Sequence, residues 1–596
     1  MAWTRETSCG NEASKCRHRV LPFLRGLGID LGCGTDRIHH KAIGIDKAIG
    51  AGICHDVERL PMFKDASLDF VFSSHCLEDL GPTEDILKEW WRVLKVGGNM
   101  VLYLPHKDLY PNVGQPGANP AHLHDFYPED ILKIVKRNFA AKLIRNDVHA
   151  EGNEYSFEMI LQKLPGGPRL ERDLQVTPEN ACMIIRYGAF GDAIQATPII
   201  RRIKEEGYFT VVQCSHRGAQ VLKNNPHIDR LEVLDEGMLL PQDLPGHWEK
   251  LAKTYKRFVN LSGIVEQVLL KIKGQPGYDS PDSLRHLICN VNYGDSLHMT
   301  AGYRDNAGMT LPELYYLPKE EVWAEKFVRK VKQDTGAEYL ILWSLAGSGW
   351  NKKYPWAEFV QRTFLEDFTD AAIITVGDES CKILEWDHPR LVKMSGKTTM
   401  RQSCLLTRYV DCVVGPETGV LNAASCWDTP KVLMLSHSSK ENLSKYWQNT
   451  VNITPEPECE CHPCHKLVYV LEECPQKPIT IEKKDVLRFI FFVRANSGLG
   501  IDIGRAVTAE SWQEKMKKVP EGPITMEYTG CMALTEPMKI LQAMEKFYDQ
   551  RQKEADNESA GEGRQASPER EEYPDSGASL RPGADTGNGA MGCSAS

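Results

Sequence analysis

Short β-branched runs alternate with helical segments along most of this chain, and several end in a glycine-bearing turn that opens the next segment. In residues 27–163 the runs GIDLG (28–32), AIGID (42–46), LDFVFSS (68–74) and NMVLYLP (99–105) predict buried strands. DILKEWWRVLK (85–95) has helical spacing, and Gly97-Gly98 is expected to end that helix. Such alternation predicts a parallel sheet with helices on both faces. PGGP (165–168) breaks the pattern, which restarts at ACMIIRYG (181–188). A second unit continues through TVVQCS (210–215), RLEVLD (230–235) and RFVNLS (257–262). A third contains EYLILWSLAG (338–347), AAIITVG (371–377), DCVVG (411–415) and KVLMLS (431–436). The second and third are alike in size and pattern, which predicts two α/β halves facing each other.

At 596 residues, 42% hydrophobic and 26% charged, the chain can bury several cores. Its 71 Lys plus Arg against 81 Asp plus Glu give a net charge of -10. That argues against a polyanion-coating protein, because phosphate backbones are bound by basic stripes, so no nucleic-acid partner is expected. No apolar run reaches the roughly 18 residues of a spanning helix, and none is expected. The N-terminus lacks the apolar core of a signal peptide. The 18 cysteines are mostly scattered singly through apolar segments. They read as buried free thiols in a reducing compartment, and a cytoplasmic location is expected. Residues 551–596 hold one aromatic, Tyr573, with nine acids and five bases, and are expected to be a disordered tail.

In GIDLGCGTD the glycine turn follows directly on a strand, where Gly32 and Gly34 let the backbone approach a ligand that a Cβ would block. Twelve residues after Gly34 the next strand ends in Asp46, placed to accept hydrogen bonds from both hydroxyls of a ribose. With Asp56-Val57, Leu60-Pro61, SSHCLEDL (73–80) and HDFYPEDI (124–131), residues 17–163 resemble the class I S-adenosylmethionine-dependent methyltransferases. The resemblance implies that Asp30, Gly32 and Gly34 hold the methionine part of S-adenosyl-L-methionine, and that Asp46 holds its ribose. It also implies that Asp56 approaches the adenine amine, and that the segment containing Ser74 closes over the cofactor. The chain has Asp36 where that family often has a third glycine. Methyl transfer is an in-line displacement, so positioning supplies much of the rate. A hydroxyl or amine acceptor also benefits from a base, for which His75, His106, His122 and His124 are candidates.

RYGAFGDAIQATP (186–198) likewise runs from a strand into a helix. Gly188 and Gly191 form its turn, and Asp192 stands near the helix N-terminus, where it fits either a cap or a functional carboxylate. GSGWNKKYPW (347–356) carries Lys352 and Lys353, and a lysine in such a loop can neutralise a diphosphate. VVGPETGVLNAAS (413–425) puts Glu417, Thr418 and Gly419 at another helix start, whose N–H groups suit phosphate oxygens. With NNPHIDRLEVLD (224–235), VNLSG (259–263) and SGKTTMRQ (395–402), these segments make residues 181–475 resemble glycosyltransferase family 9, the heptosyltransferases of lipopolysaccharide assembly. The resemblance implies two Rossmann-like lobes with the site in the cleft, the GT-B architecture. It also implies inverting transfer of a sugar from a nucleotide-diphosphate donor. Asp192 then matches the base on the acceptor hydroxyl and Lys352 the group on the donor phosphates. Glu417, Thr418 and Gly419, with the turn of Gly188 and Gly191, match the donor site. The family usually has Asp and His where this chain has Glu417 and Asn422. No convincing Asp-x-Asp motif ends a strand, and no metal is expected.

ECECHPCHKLVYVLEECP holds Cys459, Cys461, Cys464 and Cys474 with His462 and His465 interleaved. Four thiolates can hold a structural zinc, but this spacing is not a standard zinc pattern, and free thiols beside the donor lobe are the other reading. The expected organisation is a methyltransferase domain over 1–163, a linker over 164–180 and an acceptor lobe over 181–335. A nucleotide-sugar lobe over 336–496, a helical extension over 497–550 and the tail over 551–596 complete it. The expected function is a bifunctional transferase of cell-surface glycan synthesis (lipopolysaccharide, O-antigen or capsule). Its acceptor is expected to be a glycan or lipid-linked glycan, met at the inner membrane surface. Two alternatives stand beside it: a glycosyltransferase with an inactive first domain, and a non-catalytic glycan-binding protein using both folds.

Overall fold

Each apolar run named above forms a strand in the computed structural model, which describes residues 12–47, 52–235, 237–262, 280–304, 311–469, 471–476, 478–482 and 525–561. The chain divides into two units, Met1–Phe547 and Tyr548–Ser596. The first sheet holds β1 (Gly28–Leu31), β2 (Ile43–Asp46), β3 (Ile53–Cys54), β4 (Leu68–Ser74), β5 (Leu94–Pro105), β6 (Ala140–His149), β7 (Ser156–Lys163) and β8 (Arg169–Arg172), in the order β3-β2-β1-β4-β5-β7-β6-β8. Its first five strands are parallel, as expected. The far end is not, because β7 runs antiparallel to both β5 and β6. The short connection 150–155 cannot make a crossover, so β6 and β7 form a hairpin. β8 falls within the expected linker and adds an edge strand parallel to β6.

Helix Thr83–Val93 buries Ile86, Leu87, Trp90 and Trp91 on one face, and the Trp90 indole donates to the Val57 carbonyl at 2.8 Å. It ends at Val93, ahead of the glycine pair expected to stop it. Gly97-Gly98 instead lies within β5, where the register against β4 slips between Leu68 and Phe70. A Cβ on Gly98 would lie 2.7 Å from the Asp69 carbonyl oxygen, so only glycine lets the two strands close there.

The second sheet holds β9 (Ala181–Arg186), β10 (Phe209–Cys214), β11 (Arg230–Val233) and β12 (Arg257–Asn260), in the order β11-β10-β9-β12. The third holds β13 (Tyr339–Ser344), β14 (Ala371–Val376), β15 (Leu391–Lys393), β16 (Cys412–Pro416), β17 (Lys431–Met434) and β18 (Thr450–Ile453), in the order β15-β14-β13-β16-β17-β18. Both are parallel throughout. In all three sheets the first strand lies inside, with the next strand on one side and a later one on the other. Ligands of open α/β sheets sit outside the carboxyl ends at such a reversal.

The sheets share cores. Leu234 and Met238, beyond β11, pack with Val20, Phe70 and Tyr103 of the first sheet's layer, and Arg25 reaches Asp235 at 3.5 Å. Cys404 and Ala423 pack with Ala193, Ile194 and Val212 of the second sheet's core. β19 (Ile479–Glu482) and β20 (Thr525–Tyr528) form an antiparallel ribbon. Helix Pro537–Gly561 runs past residue 551, where the tail was expected to start. GLGIDIG (498–504) and residues 562–596 lie outside the described residues. Among the described residues no helix is long and apolar enough to cross a membrane.

Met238 is 1% exposed at the seam between the first and second sheets. Met238→Ala is expected to cost about 2–5 kcal/mol, read as a lower midpoint in chemical denaturation.

Candidate functional site

The first glycine turn sits at the reversal between β1 and β4. Gly32 takes φ +74°, and a Cβ there would lie 2.5 Å from the Cys76 thiol. The Gly32 N–H donates to the Ile45 carbonyl at 2.9 Å, and the Gly34 N–H donates to Asp46 Oδ2 at 2.9 Å. Asp46, at the end of β2, is thus beside the turn, and Ser74 ends β4 on the other side of β1. Asp56 accepts from the Glu58 N–H at 2.8 Å and pairs with Lys47 at 2.9 Å. Partial burial opposes its ionisation, but those two partners hold its carboxyl below the usual range.

Asp30 and Asp36 face elsewhere. Asp30 is buried and accepts from the Ile38 N–H at 2.6 Å, so it braces the far end of the turn from behind. Burial pushes its carboxyl up to about 7, against the pull of the Ile38 N–H and Arg17. Asp36 accepts from Arg17 Nη2 at 2.8 and 2.9 Å, which turns this departure from the family pattern toward helix Ala13–Val20. His106 Nδ1 accepts from the Asp108 N–H at 3.2 Å, and His124 Nε2 lies 3.0 Å from the Gly81 carbonyl.

The second site lies where helix Phe190–Gln195, after β9, meets helix Gly419–Ala424, after β16. A Cβ on Gly191 would lie 2.8 Å from Asn422 Nδ2 and 3.0 Å from the Gly419 Cα, and one on Gly419 would strike the Phe190 ring. These glycines therefore bring the two helix starts together. Asn422 accepts from Gln195 Nε2 at 2.9 Å across the same crossing. Gly188 takes φ +101° in the turn, and its carbonyl accepts from Ser215 at 2.8 Å.

Asp192 caps its helix and also meets two side chains from elsewhere in the chain. Its Oδ2 accepts from the Ala189 N–H at 3.0 Å, a cap. Its Oδ1 accepts from the Tyr293 hydroxyl at 2.5 Å and lies 3.4 Å from Arg186 Nη2. Sequence reasoning missed both partners. Arg186 stands in the quoted motif, but a 1% exposed arginine at a strand end was hidden by its apolar neighbours. Tyr293 is over 100 positions away and carried no signal.

The Lys352 stem runs beside Gly347 and Thr418: a Cβ on Gly347 would lie 2.6 Å from Lys352 Cδ and 3.3 Å from Thr418 Cγ2. Dehydration lowers the Lys352 ammonium's pKa, while the carboxylates of Glu417 and Asp192 pull it back up, so these three charges share one field. Lys353 lies 3.6 Å over the Trp350 ring instead. Thr418 caps its helix through the Leu421 N–H and meets Ser344 Oγ at 3.0 Å. Glu417 faces inward. It accepts from the Ser438 N–H at 2.9 Å, pairs with His437 at 2.5 Å and bonds Ser436. Burial alone would raise its carboxyl, but His437, Lys352 and Ser436 hold it well below the usual carboxylate range.

Cys459 Sγ and Cys461 Sγ lie 3.9 Å apart, and Cys464 is beside them as a buried free thiol. Cys474 and the buried Cys531, from beyond β20, complete the group. Among the described residues no three or more His, Cys, Asp or Glu side chains converge at metal-ligand spacing. His465 is fully buried with neither ring nitrogen hydrogen-bonded, and lies near Glu417 and His437.

Asp30 offers a test. Its raised pKa means that stability from the protonated acid is present below about 4 and is lost as pH rises through about 7. Asp30→Asn keeps an acceptor for Ile38. It is expected to raise the unfolding midpoint over wild type at pH 8 and to match it near pH 4.

Residues 27–102 match the family model described as a methyltransferase domain. The malonyl-[acyl-carrier protein] O-methyltransferase of a Marinomonas species is 34% identical over 83 residues, 13% of this chain and 30% of that protein. The chain thus spans under a third of this curated relative's length. Among solved structures, a glycosyl transferase family 9 protein of Veillonella parvula is 12% identical, covering 47% of this chain and 88% of that one, with a TM-score of 0.35. The E. coli ADP-heptose lps heptosyltransferase II is 10% identical over 53% of this chain and 98% of that one, with a TM-score of 0.32. A SAM-dependent methyltransferase of Thermotoga maritima, described as a possible histamine N-methyltransferase, is 19% identical over 26% of this chain and 90% of its own, with a TM-score of 0.22. The similarity to methyltransferase domains thus covers residues 27–102.

Proposed function

We propose that the chain carries two transferase sites. The first transfers a methyl group from S-adenosyl-L-methionine, and the second transfers a sugar with inversion from a nucleotide-diphosphate donor. The observation that carries this reading is that Asp46 with Gly34, and Asp192 with Lys352, each stand at the carboxyl-end reversal of a parallel sheet.

At the first site Asp46 holds the ribose and the Gly32–Gly34 turn approaches the methionine part. The acceptor's lone pair then forms the bond to the methyl carbon, as the carbon–sulfur bond breaks and sulfur keeps its electron pair. At the second site the acceptor hydroxyl attacks the anomeric carbon and gives its proton to Asp192, which Tyr293 and Arg186 hold in place. The bond to the diphosphate breaks with its electrons on the leaving oxygen, and Lys352 balances that charge. The segments that resemble glycosyltransferase family 9 over 181–475 support a cell-surface glycan or lipid-linked glycan as acceptor, in the cytoplasm at the inner membrane surface.

Titration calorimetry with S-adenosylmethionine is expected to show one site, and Asp46→Ala to weaken it about 10–100-fold. A wild-type chain that gives no heat would sink methyl transfer and leave the reading of an inactive first domain. With a panel of nucleotide sugars, Asp192→Asn is expected to slow transfer about 100–10,000-fold while donor affinity stays near wild type. Unchanged transfer would remove Asp192 as the base, and donor binding without any turnover by wild type would favour glycan recognition.

A further inference from the structure

The cysteine group has no part in either reaction above. Cys459, Cys461 and Cys464 lie in the loop after β18, and all three are free thiols. That loop brings two sulfurs face to face. The His462 N–H donates to the Cys459 carbonyl at 3.0 Å and closes a turn over 459–462. The turn curls two thiols, two positions apart, onto one side, where Cys459 Sγ and Cys461 Sγ lie 3.9 Å apart. Residues so placed in a turn keep their Cα atoms within the span of a disulfide, so side-chain rotation closes the gap to the bonded distance of about 2.05 Å.

The two sulfurs are unlike. Cys459 is 3% exposed, whereas Cys461 is part-exposed and open to a small oxidant. Hydrogen bonds with the Cys459 and Cys464 thiols hold the Cys461 thiol well below its usual range, against its partial burial. The same contact pushes the Cys459 thiol up. Cys461 is therefore the thiolate of the pair, and the thiolate is the form that attacks a disulfide. Cys464 is engaged elsewhere: its thiol donates to the Lys466 carbonyl at 3.9 Å, and its own carbonyl accepts from Arg285 Nε at 2.8 Å. That leaves Cys459 as the partner in reach.

The loop also backs the second site. The His465 N–H donates to the His437 carbonyl at 2.8 Å, and His437 pairs with Glu417. Farther along, the Trp350 N–H donates to the Val468 carbonyl at 2.8 Å and Asn351 Nδ2 to the Lys466 carbonyl at 3.0 Å, which holds the turn Trp350–Lys352. A bond that tightens residues 459–461 thus pulls on a loop joined both to the partner of Glu417 and to the turn that carries Lys352.

We propose that Cys459 and Cys461 are a modification site, a reversible disulfide that weakens the donor site when it closes. The Cys461 thiolate attacks one sulfur of a small disulfide such as oxidised glutathione and forms a mixed disulfide, while the other half leaves as a thiolate. Cys459 gives its proton to that thiolate and its sulfur attacks Cys461 Sγ. The mixed bond then breaks, and the second half leaves with the electron pair. Two protein sulfurs have given up two electrons, and the small disulfide has become one thiol and one thiolate. The weakening rests on the sugar-transfer reading; the bond does not, and is read without donor.

The full-length chain is reduced, freed of reductant and exposed to oxidised glutathione, and its remaining thiols are alkylated before digestion and mass spectrometry. The peptide spanning 459–464 is expected to carry Cys464 alkylated, Cys459 and Cys461 not, and a loss of about 2 Da for the bond. Cys461→Ser is expected to abolish that bond and Cys464→Ser to keep it. Three alkylated thiols after oxidation, a bond to Cys464 or to any other cysteine, or a metal ion in the purified chain that shields the three overturns the proposal. The wild-type peptide decides the matter even where a variant does not fold. Oxidised wild type is further expected to bind nucleotide sugars at least about tenfold more weakly than the reduced chain and to recover with dithiothreitol, while Cys461→Ser ignores the oxidant. Equal affinity in the two states overturns the control of the donor site. A reduced chain that binds no nucleotide sugar counts against the proposed function only.

Discussion

A strand buried on both faces can offer chemistry only at its ends. β1, β9, β13 and β16 are buried at every position. Helices must then cover both faces, and successive strands must be joined by crossovers that return the chain to the same edge. What remains accessible is the set of turns at the carboxyl ends, and it opens widest where the strand order reverses. The glycine turn beside Asp46, the helix start with Asp192 and the loop with Lys352 all stand at such reversals. The sites follow from that burial, and their differences come from the few polar groups that each turn carries.

The second site also depends on how closely two backbones meet. Gly191 and Gly419 leave no Cβ at the crossing, so helix starts from different sheets lie in contact. Asn422 is used there in the bond to Gln195. The first sheet's layer is likewise not a bead on a string. Leu234 and Met238 complete its core from the second sheet's side.

The strands, the glycine turns and the acids near them were legible in the chain. What each acid faces was not. Asp30, Asp36 and Glu417 share with Asp46 a local signature, a carboxylate within a few residues of a strand's carboxyl end. Yet Ile38, Arg17 and Ser438 with His437 turn them onto the protein itself. Glu417 keeps Lys352 within its field all the same, so its charge acts on the site without reaching into it. Gly97-Gly98 misled for a related reason. A glycine pair after a helical run suits a helix end, but here the pressing need was close approach to β4.

By itself the sequence determined the α/β class, nearly every strand of the parallel sheets and the glycine turns at their carboxyl ends. Those rest on local periodicity and on the steric room at a residue, both written within a few positions. The tertiary structure alone decided the hairpin end of the first sheet and the pairing of Asp192 with Tyr293 and Arg186. A charge's partner is set by distance in space and by the water excluded between them, and residues far apart along the chain settle both only when it folds.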